Sequence, residues 1–444
     1  MARTPITPDQ VIEILGRHLL IDGFDLVLDT KQSQGTVLVD ARDGTRYLDM
    51  FTQFASMAIG MNPAEITADA DFLATLTEVA VNKPANSDVY TTHLAGFVDA
   101  FERVMGDPAL PHLFLIEGGA LAVENALKAA FDWKRRHNEA NGKDPAKGTQ
   151  VLHLTKAFHG RTGYTLSLTN TDPVKTALFP TFDWPRIDVP AVAFPIEDNL
   201  AALEAAEHHA LQQARDAFAA VPDDIACFIA EPIQGEGGDN HMRADFLQAM
   251  QALCRENDAL FVLDEVQSGF GMTGSNWAYQ QMGLEPDLVA FGKKSQVCGV
   301  MGGGRIDEVA DNVFAVSSRI NSTWGGNLTD AVRARRILEV IEDRDLVAGA
   351  GRLGKWLLDR LQDIEAKYPA VTNARGRGLM CAIDLASPEQ RDAVRESMRD
   401  DERVLMLSCG DRSLRFRPPL TVTEDELATA CDALERTLAR TAGH

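Results

Sequence analysis

The sequence predicts an α/β protein with a central, mostly parallel sheet flanked by helices, joined to a smaller α+β unit assembled from the two ends of the chain. Three observations carry this. Short uninterrupted apolar runs recur between residues 66 and 330, in "HLFLIEG", "QVLHLTKAFHG", "IACFIAEPI", "ALFVLDEV" and "DLVAFGK". Continuous rather than alternating apolarity suits strands covered on both faces, and the helical patterns between them supply the cover. A chain of 444 residues is also too long for one simple core.

Residues 1–65 form an N-terminal segment, with a short helix in "PDQVIEILGRHLL" and a hairpin in "TVLVDARDGTRYLDM" turning at Asp43-Gly44. Residues 66–330 form the large sheet-bearing domain. After Leu328 a long helical pattern, "TDAVRARRILEVIEDRDL", begins the C-terminal α+β domain of residues 331–444. A second helix, a strand pair near "RGLMCAIDLA" and "RSLRFRPPL", and a closing helix complete it. No internal repeat or low-complexity tract interrupts the chain.

Bulk composition removes several function classes. A formal net charge of -22, with no basic stripe to offset it, repels phosphate backbones, so nucleic acid is not an expected partner. The six cysteines (Cys227, Cys254, Cys298, Cys381, Cys409 and Cys431) show neither a CxxC pair nor metal-ligand spacing, which fits free thiols in a reducing cytoplasm. His153 and His159 have no Cys, Asp or Glu at ligand spacing, and no metal is expected. The first twenty residues lack the apolar core of a signal peptide and no stretch reaches spanning length, so no membrane partner is expected.

Chemistry concentrates at two strand ends. Lys293 leaves the apolar strand of "EPDLVAFGKKSQV" ahead of Lys294, and a lysine emerging from such a strand loses its charge cheaply and bonds to an aldehyde cofactor. Asp264 ends "ALFVLD", where a buried acid needs a partner. A pyridinium nitrogen is such a partner, and the pair suggests pyridoxal phosphate, with Val266 and Gln267 against the ring or its hydroxyl. The glycines Gly269, Gly271 and Gly274 match the spacing of a dinucleotide-binding loop. "DEVQS" intervenes between strand and loop, however, and Asp287 precedes the next strand rather than ending it, so a nicotinamide oxidoreductase is disfavoured.

Other segments offer supporting contacts. "LFLIEGGALAVENALKAA" runs from strand to helix through Gly118-Gly119, placing the amides of Gly119 and Ala120 where an anion binds. A sterically tight turn explains the same glycines. In "KAFHGRTGY", Phe158 and His159 follow a strand; Phe158 suits stacking on a flat cofactor and Arg161 a carboxylate, against the plainer reading of a core aromatic and a surface cation. Glu236 sits in the glycine-rich "AEPIQGEGGDN", where backbone freedom lets a carboxylate face a pocket or swing away, although a solvated loop acid fits too. Thr323 in "NSTWGGNLTD" is a second candidate phosphate contact. Arg415 and Arg417 in "LRFRPPL" face one side if the segment is a strand, and a proline-capped surface edge is the alternative.

Taken in order, "GGALAVENALKAA", "AFHGR", "AEPIQGEGG", "LDEVQSGFG", "DLVAFGKK", "STWGGN" and "RFRPPL" resemble the class III (subgroup II) aminotransferases over nearly the whole chain. These are pyridoxal-phosphate enzymes of fold type I that act on amino groups remote from a carboxylate. The likeness is strongest to members using the ε-amine of L-lysine, in "HGRTGYTLSLTNT" and "FGKKSQVCGVM" among others, with members using 4-aminobutyrate, or ornithine, as alternatives. It implies ping-pong transfer to 2-oxoglutarate, giving 2-aminoadipate 6-semialdehyde and L-glutamate, in a homodimer with shared sites. It further implies Lys293 as the Schiff-base lysine and Asp264 as the partner of the pyridine nitrogen. Phe158 and Val266 are implied to flank the ring, with His159 in the cofactor site, Gln267 at the ring hydroxyl and Thr323 reaching the neighbouring subunit's phosphate. Arg415 is implied to take the α-carboxylate of 2-oxoglutarate, Glu236 to pair with Arg415 when the donor is bound, and Arg161 to take the donor's carboxylate. Many members carry Ser-Gly-Ser-Glu-Ala where this chain has Gly118-Gly119-Ala120-Leu121-Ala122, so phosphate contacts there rest on the backbone amides of Gly119 and Ala120.

Overall fold

The N-terminal hairpin forms where the Asp-Gly pair predicts it. In the computed structural model, which describes residues 5–441, β1 (Val37–Val39) and β2 (Arg46–Asp49) pair antiparallel, Val37 opposite Leu48. Gly44 takes the left-handed φ of 80° that this turn requires. Residues 1–4 of the N-terminal segment and 442–444 of the C-terminal domain lie outside the described residues. The predicted first helix is shorter than its apolar pattern, spanning Val11–Gly16 after a 3₁₀ turn at Pro8–Gln10.

Seven strands make the central sheet, in the spatial order β3 (His112–Ile116), β11 (Cys298–Gly302), β10 (Leu288–Phe291), β9 (Leu260–Asp264), β6 (Ile225–Ala230), β4 (Gln150–Leu154) and β5 (Arg186–Ile187). From β10 to β5 all neighbours are parallel. The exception is β11, antiparallel to both β10 and β3, while β7 (Ile233–Gln234) and β8 (Asn240–His241) form a separate antiparallel pair. Sequence reading missed β11 because only six residues separate it from β10, too few for the crossover a parallel partner needs. Gly299 is required there, since a Cβ would lie 2.3 Å from the Phe114 carbonyl oxygen.

Continuous apolarity has the predicted cause. Every residue of β6, β9 and β10 is buried. Leu260, Val262, Leu288 and Ala290 face one core with Ala126, Leu127 and Ala130 of the helix Gly119–Ala140. Phe261, Leu263, Val289 and Phe291 face the other with Phe246, Leu247 and Met250 of the helix Ala244–Glu256. Each fully buried large side chain contributes about 1.5–3 kcal/mol, so alternate residues of β9 and β10 stabilise opposite layers.

The two chain ends combine in the smaller unit. β14 (Val404–Leu405) lies parallel to β2, Val404 opposite Leu48. The predicted strand pair is part of a four-stranded sheet, in the order β12 (Val371–Arg377), β13 (Met380–Leu385), β16 (Ser413–Phe416) and β15 (Leu407–Cys409). β12, "VTNARGR", lacks an apolar signature because it is only partly covered. The helix Leu346–Lys367 packs on it through Gly354, where a Cβ would lie 2.1 Å from the carbonyl carbon of Gly378. All six cysteines are buried and unpaired, and among the described residues no helix is long and apolar enough to cross a membrane.

Gly354→Ala should therefore destabilise the protein by about 1–3 kcal/mol through overpacking. Gly349→Ala, on the same helix with nothing closer than 3.9 Å to the added methyl, should leave stability unchanged or slightly raised. Thermal melts compare the two directly, and coincident melts would contradict the packing.

Candidate active site

Parallel strands bring their carboxyl ends to one edge of the sheet, where ligands bind in open α/β folds. β9 delivers Asp264 to that edge, level with Ala290 of β10, and Lys293 lies three residues beyond Ala290. β3 leads through Glu117 and Gly118 into the helix Gly119–Ala140 at the same edge.

Lys293 follows Gly292 in a 3₁₀ turn, with a left-handed φ of 56°. Such a conformation costs a non-glycine residue of order 1–3 kcal/mol and persists where the surroundings enforce it. Burial, reinforced by the charge of Arg415 and opposed by Asp264, lowers its pKa to about 8. Lys294 is committed elsewhere: it is buried, and its ammonium donates to the Gln267 carbonyl at 2.6 Å.

Asp264 is held from two sides. His159 Nδ1 lies 2.8 Å from Oδ2, and the Val266 amide donates to Oδ1 at 3.1 Å. Burial alone pulls the His159 pKa down, but the hydrogen bond and charge of Asp264, with the charge of Glu231, raise it on balance. Among the described residues, His159 Nε2 is buried without a hydrogen-bond partner. Glu231 stands behind it, accepting the Phe158 amide at 2.9 Å and the Gly235 amide at 3.1 Å, and burial raises its pKa to about 7. Sequence reading passed over Glu231, although it follows the apolar run Ile225–Ala230 as Asp264 follows its own strand.

Arg415 is brought in by β16 of the smaller unit and is only 2% exposed. Its Nη2 meets Glu236 Oε2 at 3.0 Å. Arg417 shares its face, as the alternation predicts: Gln267 Oε1 accepts from Arg417 Nη2 at 3.0 Å and from Arg415 Nη1 at 3.5 Å. Asp239 pairs with Arg417 and fixes it. The glycine-rich loop does not have the backbone freedom expected of it. The Glu236 carbonyl accepts the Gly410 amide at 2.9 Å, and a Cβ on Gly237 would lie 1.9 Å from the Lys156 carbonyl oxygen. Only the Glu236 side chain is left to swing. Its other oxygen, Oε1, meets Lys175 Nζ at 2.9 Å, a contact no sequence signal announced.

The arrangement fits pyridoxal phosphate. In the helix Gly119–Ala140 the first backbone bond runs from the Ala122 amide to the Gly118 carbonyl, leaving the amides of Gly119 and Ala120 outside the helix ladder, as an anion needs. Close approach is secured there by absent side chains: a Cβ on Gly119 would lie 3.0 Å from Val266 Cγ1, and Gly292 and Gly119 adjoin. Phe158 is half-buried, 5.3 Å from ring centroid to Lys175 Nζ. Two predicted residues lie at the surface of the chain. Arg161 is exposed and makes no hydrogen bond or ion pair among the described residues. Thr323 is exposed on a loop where its carbonyl oxygen meets Ser87 Oγ at 3.5 Å.

Comparison with known proteins gives a consistent family. The model of the class-III aminotransferases matches residues 23–438. The L-lysine-epsilon aminotransferase of Amycolatopsis lactamdurans is 60% identical over 99% of this chain and 98% of its own length. The structure of lysine aminotransferase from M. tuberculosis in the internal aldimine form is 60% identical, with a TM-score of 0.96 over 98% of this chain and 100% of that one. A 4-aminobutyrate aminotransferase of Schizosaccharomyces pombe is 31% identical over 92% of this chain and 88% of its own length.

The lowered pKa of Lys293 has a direct signature. Its neutral amine forms as the pH rises through about 8. In protein freed of cofactor, acylation of Lys293 followed by peptide mapping should therefore be half-maximal near that pH. A rise only in the ordinary lysine range would contradict the environment described.

Proposed function

Because the chain belongs to the class-III aminotransferase family, we propose that it moves the ε-amino group of L-lysine to 2-oxoglutarate, giving 2-aminoadipate 6-semialdehyde and L-glutamate. The donor rests on the 60% identity to L-lysine-epsilon aminotransferase along nearly the whole chain, against 31% to a 4-aminobutyrate enzyme. The cofactor is pyridoxal phosphate, which supplies a carbon that bonds an amine and a ring that accepts electrons from the adjoining carbon.

Lys293 is the covalent anchor, and its lowered pKa supports that role because the attacking form is the neutral amine. As the neutral amine, Lys293 would take the proton from substrate Cε and return it. Asp264, steadied by His159, supplies the negative charge opposite the ring nitrogen. The amides of Gly119 and Ala120 hold the phosphate, Phe158 and Val266 flank the ring, and Gln267 approaches its hydroxyl. Residues 66–330 bring these groups, while the terminal segments 1–65 and 331–444 bring Arg415.

Two substrates of different charge layout share the pocket. Glu236 on Arg415 neutralises the guanidinium and lets the lysine side chain present its ε-amine, while Arg161, free of intramolecular partners among the described residues, takes the donor's carboxylate. With Glu236 swung away, Arg415 takes the α-carboxylate of 2-oxoglutarate. Thr323 serves the phosphate of a partner subunit in a homodimer. Its exposure supports this, as does the exposed apolar surface of Val89, Tyr90 and Trp324, the Trp324 carbonyl accepting the Asn86 amide. Six unpaired cysteines support a cytoplasmic location.

Lysine carrying heavy nitrogen only at Nε tests the assignment. Turnover with unlabelled 2-oxoglutarate should place the label in glutamate, read by mass spectrometry. Label left in the carbon product, with transfer from the α-amine instead, would refute it.

A further inference from the structure

Glu236 is held by two cations, and the exchange between donor and acceptor calls for only one. Oε2 meets Arg415 Nη2 at 3.0 Å while Oε1 meets Lys175 Nζ at 2.9 Å. Lys175 is itself well anchored. It ends the 3₁₀ turn Pro173–Lys175, which Asp172 caps by accepting the Val174 amide at 2.9 Å. Its ammonium also donates to Thr171 Oγ1 at 3.1 Å and lies over the Phe158 ring, and its side chain is only 13% exposed.

The backbone of Glu236 is pinned, so the carboxylate exchanges positions by side-chain rotation alone. A carboxylate that leaves Arg415 in a partly buried pocket must be rehydrated or find another cation. Lys175 already holds one of its oxygens, so the departing group pivots about a contact it keeps.

We propose that Lys175 is a positioning residue that retains the Glu236 carboxylate when it leaves Arg415, and so sets how readily the pocket opens to a dicarboxylate acceptor. This rests on the reading of Glu236 and Arg415 given above. Removing Lys175 takes one of two partners from Glu236 while it sits on Arg415, but its only cationic partner once it has swung away. The state that binds acceptor is therefore the one that suffers more.

The test uses the holoenzyme and glutarate, an unreactive dicarboxylate, with binding read by calorimetry. Lys175→Met, which keeps most of the aliphatic stem, should weaken glutarate about fivefold, the scale of one partly screened ion pair. The KM for 2-oxoglutarate should rise in parallel, the KM for lysine should change less, and Lys175→Arg should recover most of the loss. In a Glu236→Ala background, Lys175→Met should weaken glutarate no further. Equal weakening in that background would mean that Lys175 attracts the dicarboxylate directly, and would overturn the proposal. A Glu236→Ala variant that alters the donor–acceptor balance, beside a silent Lys175→Met, overturns this proposal alone. A Glu236→Ala variant with no effect on that balance overturns the Glu236–Arg415 reading and this proposal with it.

Discussion

A carboxylate at the end of a strand buried on both faces constrains everything around it. Asp264 is 5% exposed, and stripping water from an ionised carboxylate costs several kcal/mol unless charge and hydrogen bonds replace it. The chain replaces it in part, with His159 on one oxygen and the Val266 amide on the other. His159 is in turn shifted toward its protonated form by Asp264 and Glu231 against the cost of its own burial. On the proposed reading a bound cationic ring would supply further counter-charge, so a geometry that is expensive in the chain alone would suit a pyridinium cofactor.

Beside this centre lies a second cluster of charges, built on Arg415, Arg417 and Glu236. Arg415 on β16 and Arg417 just beyond it both reach the Gln267 side chain, which follows β9, and so link the four-stranded sheet to the edge of the central one. Arg417 is tied down by Asp239 and Gln267, whereas the strong contact of Arg415 is to Glu236, a residue whose backbone is fixed and whose carboxylate is shared between Arg415 and Lys175. On the proposed reading, rotation of this one carboxylate on a fixed backbone would let a single site take two differently charged substrates.

Much of this was legible in the sequence because burial leaves a strong mark. Asp264 and Lys293 stand out as polar residues ending apolar runs, and the parallel sheet follows from runs without alternation. Glu231 carried the same mark after Ile225–Ala230 and was hidden only by the more conspicuous glycine loop beside it. β11 was concealed by its hairpin connection, and β12 by partial cover that leaves its sequence polar. Lys175 was beyond reach: it lies in a polar loop remote in sequence from Glu236, and only the tertiary fold brings their charges within 2.9 Å.

On the proposed reading, the negative charge of Asp264, rather than its shape, is what the pocket supplies to the cofactor ring. Asp264→Asn keeps the volume and a hydrogen-bond acceptor while removing the charge. Single-turnover measurement of the lysine half-reaction in holoenzyme should show a loss of at least about a hundredfold, the scale of removing one preorganised electrostatic contact, with the cofactor still bound. A rate within a few-fold of the parent protein, at full cofactor occupancy, would contradict the account.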